Sequence, residues 1–291
     1  MKKVLPVANA IALIVTIVIN YLSNTGVFDG NTMATVSAKY PTLFTPAGYA
    51  FTIWIVIYLG LLGFIFYQFR KGPAPKRGPP QKSGPNTNPV PPVNPVPTNR
   101  VPSPESSTTV QQIGWWFVIS CAANSCWVLA WLYGWTGLSV LIMLVLLMSL
   151  IKIILRTDME LTDPPLRLIA FVWWPFCFYS GWITVAFLAN ITVWLKATHW
   201  PPFENAQPAW AIAMVLLAGI VYLFMTWRRN MREYAFVGVW ALVAVAIADS
   251  HPGHQSPAVS WTAYTVAATL FISSSIHGYR NRAFSPWRKR S

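Results

Sequence analysis

Phe51, Trp54, Ile55 and Tyr58 recur at the spacing of one helix face in the stretch Phe44-Thr-Pro-Ala-Gly-Tyr-Ala-Phe-Thr-Ile-Trp-Ile-Val-Ile-Tyr58. Aliphatic side chains suffice to face lipid, so an aromatic face suits a surface for something flat. Asn124, Trp127, Ala130 and Trp131 share a second helical face, and Asn124 places an amide in mid-membrane that must find a partner. That partner is either another helix or the polar edge of a ligand. Tyr179, Trp182, Ala186, Ala189 and Asn190 belong to a third aromatic segment. The chemistry these residues suit is recognition by stacking, with one amide to orient the guest. A different chemistry is open at Asp249, His251 and His254, where three ligand-type residues fall within six positions. They would serve as a metal or proton site, or simply as a polar turn.

The elements that must hold these residues are membrane helices. The chain has 291 residues, 55% hydrophobic and 10% charged, with a mean hydropathy of +0.46. This excludes an ordinary soluble domain. Apolar runs near 20 residues, enough to cross about 30 Å of hydrocarbon, recur at 4–22, 46–69, 112–133, 135–155, 166–194, 208–227, 233–249 and 257–277. They are continuously apolar rather than alternating, so a β-barrel is excluded. The expected fold is all-α, a polytopic bundle of about eight transmembrane helices. The first run follows Met-Lys-Lys like a signal peptide, but it is long and lacks a small-x-small cleavage site, so a retained helix is expected.

The net charge of +13 follows membrane topology rather than nucleic-acid binding, which is not expected. With eight spans, 19 of the 21 Lys and Arg lie in or beside the segments 1–3, 70–111, 156–165, 228–232 and 278–291; only Lys39 and Lys196 fall elsewhere. Both termini are then cytoplasmic. Cys121, Cys126 and Cys177 all lie within spans and read as apolar burial, with no disulfide or zinc pattern.

Between the spans, residues 23–45 form a long turn-rich loop, with Thr32 to Lys39 suited to a short interfacial helix. This loop either closes over a pocket or merely connects. Residues 71–109 hold 12 of the 24 prolines and read as an extended cytoplasmic linker. Pro175 is expected to bend the fifth helix, and Gly181 to admit a close neighbour. Tryptophans near run ends fit an interfacial belt, whereas Trp54, Trp127 and Trp182 lie deeper and fit a cavity wall. His277 reads as a satisfied interfacial histidine.

Three stretches carry a resemblance: the Phe44–Tyr58 stretch quoted above, Asn124-Ser-Cys-Trp127, and Tyr179-Ser-Gly-Trp-Ile-Thr-Val-Ala-Phe-Leu-Ala-Asn190. In this order they resemble the second, third and fifth helices of the translocator-protein family, also called tryptophan-rich sensory proteins. The resemblance covers about residues 4–195. It implies a five-helix bundle, often a homodimer, that binds tetrapyrroles such as porphyrin or haem, or sterol-like lipids, beneath its first loop. Carried over, it places Trp54, Tyr58, Asn124 and Trp182 in the pocket, with Phe51, Trp127, Trp131 and Tyr179 close by. The chain departs at Phe44, where Trp is common, and at Ala47, where a second proline is usual. Residues 196–291 add three helices, as in a longer bacterial subgroup.

The expected layout is therefore 1–70 for the first two helices, 71–111 for the linker, 112–195 for helices three to five, and 196–291 for a three-helix extension. The function expected is a ligand-binding or sensory protein of a bacterial inner membrane. Its partners would be membrane lipid and a hydrophobic small molecule, and it would form a homodimer or join a membrane complex. It would require no cofactor, and a bound porphyrin or haem would be its ligand. A passive transporter, an accessory subunit and a pigment-oxidising or metal-dependent enzyme are the alternatives. An ion-coupled carrier is disfavoured because no Asp, Glu, Lys or Arg falls mid-span. No Ser-His-Asp set, paired carboxylate or phosphate-cradling loop supports an enzyme.

Overall fold

The computed structural model describes residues 4–69, 106–162, 164–249 and 256–280. The described residues build helices and turns, plus one isolated bridge between Phe28 and Asn31. In chain order the helices are α1 (Val4–Leu22), α2 (Met33–Lys39), α3 (Ile53–Phe69), α4 (Ser106–Ile113), α5 (Trp116–Leu132), α6 (Thr136–Arg156), α7 (Leu166–Leu168), α8 (Trp174–Ala197), α9 (Pro201–Glu204), α10 (Gln207–Arg229), α11 (Arg232–Asp249) and α12 (Pro257–Arg280). The fold is an all-α polytopic bundle.

Among the described residues, six stretches are long and apolar enough to cross a membrane: α1, Gly48–Phe69, α6, Leu166–Ala197, α10 and α12. The other two expected runs are also helical. α5 is cut to 17 residues because Gly114 takes a left-handed φ of +58° and closes α4 first. α11 carries Arg232, Glu233 and Asp249 at its ends. The linker expected over 71–111 gives way at its end to helix α4, which starts at Ser106. The rest of the proline-rich segment lies outside the described residues.

α1 packs on α5 and α3, α6 lies against α5 and α8, and α3 lies against α8. α10, α11 and α12 pack on one another, and α11 docks on α8. Glycines sit at two close approaches to α8. A Cβ at Gly60 of α3 would lie 3.1 Å from Pro175, and one at Gly181 would lie 3.1 Å from both Tyr234 O and Val237 Cβ on α11. Tyr222 Oη of α10 donates to Gly181 O at 2.9 Å, so the small residue also exposes its carbonyl to the tail.

Pro175 falls at the first turn of α8, where its missing N–H costs nothing. A π turn over Ile169–Trp173 precedes it and absorbs the irregularity expected at the proline. The cysteines depart from uniform burial. Cys121 and Cys177 are buried, whereas Cys126 is exposed. Five residues advance a helix about 140°, which turns Cys126 away from the face of Cys121. His277 is buried, edge-on to Trp227 at 5.0 Å.

Candidate ligand cavity

The leading turn of α3 is fixed from outside the first five spans. Residues Gly48–Thr52 form a 3-10 turn that feeds α3. Ala47 N donates to Ala244 O at 3.0 Å, and Trp240 Nε1 donates to Ala50 O at 3.1 Å. Tyr49 meets the Trp240 ring edge-on at 5.2 Å. Helix α11 of the tail therefore sets where the aromatic face of α3 begins.

From that face three rings project inward. Trp54 and Tyr58 stack at 5.3 Å, as helical neighbours four apart can. Phe51 meets Trp182 of α8 edge-on at 5.5 Å, and Trp54 meets Tyr179 at 5.8 Å. Trp127 and Trp131 pair on α5 at 6.2 Å.

These rings do not close on one another. They wall a cavity of about 900 Å³, within the size range of small-molecule sites. Met33, Ala34, Ser37 and Ala38 of α2, followed by Pro41 to Leu43, roof it. The long first loop is thus part of the chamber. Thr32 caps α2 reciprocally with Thr35, and Val36 packs with Trp131 and Val193, which anchors the roof to two walls. Small residues Ala186 and Ala189 on α8 leave the space open, and Ala248 of α11 completes one side.

Among the described residues, no Asp, Glu, Lys, Arg, His or Cys lines the cavity. An ionic group is set around α9. There Glu204 accepts from His199 Nδ1 at 3.0 Å and pairs with Lys196 at 3.6 Å. The His199 contact, helped by Lys196, holds the Glu204 carboxyl below its usual range.

The polar groups behind the wall form a relay. Asn124 is fully buried; its Nδ2 donates to Tyr179 Oη at 3.0 Å, and its Oδ1 accepts from Asn20 Nδ2 at 2.8 Å. Asn20 lines the cavity, whereas Asn124 and Tyr179 do not. Thr16, one turn earlier on α1, bonds Cys121 O and Ser125 Oγ of α5 at 3.1 and 3.3 Å. Three donors on lining residues have no partner and are shut off from solvent: Trp127 Nε1, Trp131 Nε1 and Tyr58 Oη. These atoms have almost no accessible surface, so they sit against the packing of the wall rather than open to the cavity.

Of the sequence-predicted residues, Phe51, Trp54, Tyr58, Trp127, Trp131 and Trp182 line the one cavity, and Asn124 and Tyr179 stand directly behind it. The sequence reading missed Asn20, the roof residues and Ala248. An asparagine inside the otherwise apolar first run was the available signal for Asn20. His251 and His254 lie outside the described residues, as does the Asp249 side chain, and no group of three metal-ligating side chains occurs among the described residues.

No curated protein and no solved structure matches this chain. A family profile described as TSPO-like protein matches residues 6–87 and 94–276. The match runs past the resemblance at 4–195 and takes in α10, α11 and nearly all of α12. Spanning helices, the roofed aromatic cavity and a match over most of the length agree: this chain is an integral membrane protein of the TSPO-like protein family.

Proposed function

We propose that the protein binds a flat, largely apolar molecule in the chamber beneath α2, and that it senses or carries that molecule. Tetrapyrroles such as porphyrin, and sterol- or isoprenoid-like lipids, are the ligand classes that suit it. Family membership supports the coarse reading of a membrane ligand-binding or sensory protein. The observation that carries the finer reading is the vacancy itself: about 900 Å³ between indole rings of α3, α5 and α8, with no Asp, Glu, Lys, Arg, His or Cys among the described lining residues. Indole and phenol rings give large contact area for little lost side-chain freedom.

A metal-free ring suits this wall better than haem does. Axial ligands to haem iron are usually His, Cys, Met or Tyr, and among the described lining residues the candidates are Met33, Tyr21 and Tyr58.

The test is quenching of intrinsic fluorescence by protoporphyrin in detergent. Saturable quenching is expected, weakened at least tenfold, or about 1.4 kcal/mol, by Trp182→Ala. Quenching that never saturates, or that ignores Trp182→Ala, would remove the reading.

A second reading is passive transport. Tyr21 of α1 and Ile55 of α3 line the cavity, yet they are 72% and 62% exposed at the bundle perimeter. At their other ends α1 and α3 are pinned, where Asn9 Nδ2 donates to Gln68 Oε1 at 3.0 Å. The chamber thus reaches the lipid side between two helices joined at one end. Ligand flux into proteoliposomes above that of empty vesicles would favour transport over sensing.

The inner membrane, with cytoplasmic termini and the cavity toward the outer face, is the orientation that the Lys and Arg distribution favours. Homodimerisation or residence in a larger complex is read directly from a native mass spectrum of the detergent-purified protein.

A further inference from the structure

Asn20, Asn24 and Asn190 all line the chamber, and they differ in which end of the amide is left open. Asn190 Oδ1 is taken by Ser139 Oγ at 2.8 Å. Asn20, in the last turn of α1, and Asn24, just beyond it, spend only their Nδ2 atoms. Asn20 Nδ2 donates to Thr16 O at 2.9 Å and to Asn124 Oδ1 at 2.8 Å. Asn24 Nδ2 donates to Asn20 O at 3.0 Å and to Ser23 Oγ at 3.3 Å. Thr16 O and Asn20 O are backbone carbonyls, which only accept, so turning either amide over would set oxygen against oxygen. Among the described residues nothing donates to either Oδ1. Asn24 is exposed, and Asn20 Oδ1 is not sealed into the wall as Trp127 Nε1 and Tyr58 Oη are. Two fixed carbonyl oxygens, four residues apart, are thus left to the chamber beside the start of the roof, where Met33 N donates to Ser23 O at 3.3 Å. Other lining hydroxyls are already committed: Thr42 bonds Thr45 at 2.9 Å, Thr52 donates to Tyr49 O at 2.8 Å, and Ser23 donates to Asn20 O at 2.7 Å.

We infer that Asn20 and Asn24 select ligands that carry a hydrogen-bond donor at their edge, a hydroxyl or a peripheral N–H, which the two Oδ1 atoms accept. The inference rests on the proposed binding reading and narrows it to the rim of the ligand. The N–H groups of a porphyrin point to the ring centre, so the donor in question is a substituent. In water such a donor is bonded to solvent. Entering a chamber walled by indole and aliphatic groups strips that bond, and an oxygen waiting in place restores it. Both amides are held by their Nδ2 bonds before any ligand arrives, so little further ordering is needed on binding. A ligand without the donor leaves these oxygens with no partner from the ring.

Haematoporphyrin and its di-O-methyl ether separate the donor from the shape. The ether keeps both side-chain oxygens and loses both O–H groups, and the propionates are common to the two. Binding to the full chain in detergent is followed by the absorbance of each porphyrin. Haematoporphyrin is expected to bind about fivefold more tightly than the ether, the size of one net hydrogen bond. Asn24→Ala and Asn20→Ala should each lower that ratio towards one, chiefly by weakening haematoporphyrin. Both ligands are measured on the same variant, so a general loosening of the fold, or partition into detergent, leaves no mark on the change in ratio. A ratio that neither variant lowers, or a wild-type chain that binds the ether as tightly, would overturn the donor preference and leave the chamber as the binding site. Failure of both porphyrins to bind the wild-type chain would instead remove the underlying reading.

Discussion

Asn20 of α1 donates from Nδ2 to Asn124 Oδ1 of α5 at 2.8 Å, and only the first of the two faces the cavity. The amide buried in mid-membrane is therefore a structural joint. It ties α1 to α5 and, through Tyr179, to α8.

Asn124→Leu would take the partner from the Tyr179 hydroxyl and leave the Asn20 amide with Thr16 O of its own helix alone, so the joint between α1, α5 and α8 is lost. A loss of about 1–2 kcal/mol is expected, as for interhelical polar bonds in membranes, read as a lower melting temperature in detergent. Ligand affinity should fall less than in Trp182→Ala, because Asn124 lies behind the wall. An affinity loss in Asn124→Leu larger than that in Trp182→Ala would show that the amide meets the ligand directly.

The tail is predicted to support the site without lining most of it. Trp240→Phe removes the bond to Ala50 O that fixes the leading turn of α3. A destabilisation of about 0.5–1.5 kcal/mol is expected, together with weaker porphyrin binding, although Trp240 itself does not line the cavity. Unchanged affinity in a folded variant would show that α11 is a bystander.

Packing within the tail is tight enough to test with one methyl group. A Cβ at Gly238 would lie 2.6 Å from the ring of Tyr222, which is fully buried and held by Gly181 O. Gly238→Ala should cost about 1–3 kcal/mol by overpacking, seen in thermal unfolding. A neutral or raised melting temperature would mean that α10 and α11 sit further apart.

At the end of the bundle away from the cavity, burial pushes the Glu160 carboxyl up from 4.5 to about 8, with the Glu233 carboxylate adding to the rise and Arg232 opposing it. The native state then favours the protonated acid. Its contribution to stability is complete below about pH 4.5 and is lost as pH climbs through 8. Glu160→Gln should flatten this part of the melting profile and gain most near pH 8. A wild-type profile that rises from pH 5 to 8 relative to Glu160→Gln would reverse the assignment.

Most of the bundle was legible because a membrane helix announces itself by length and composition alone. The depth of Trp54, Trp127 and Trp182 within their runs separated them from the interfacial tryptophans, and all three line the cavity. The roof was legible as a helix from Thr32 to Lys39, but its role depended on tertiary placement. Periodicity set Asn124 on the same face as Trp127 and Trp131, yet it could not show that Asn20 and Tyr179 take up its amide. Gly114 broke the third run where composition stayed apolar. Ala248 carried no signal, since a small aliphatic residue looks the same in a cavity wall as in lipid.

The central claim is a vacancy among the rings, so the most direct measurement fills it. Ala189 lines the chamber between α8 and the roof. Native mass spectrometry with protoporphyrin dimethyl ester should find one porphyrin per wild-type chain and none on Ala189→Trp, with the variant's melting temperature unchanged or raised. Equal porphyrin occupancy on both proteins would place the ligand elsewhere and contradict the account.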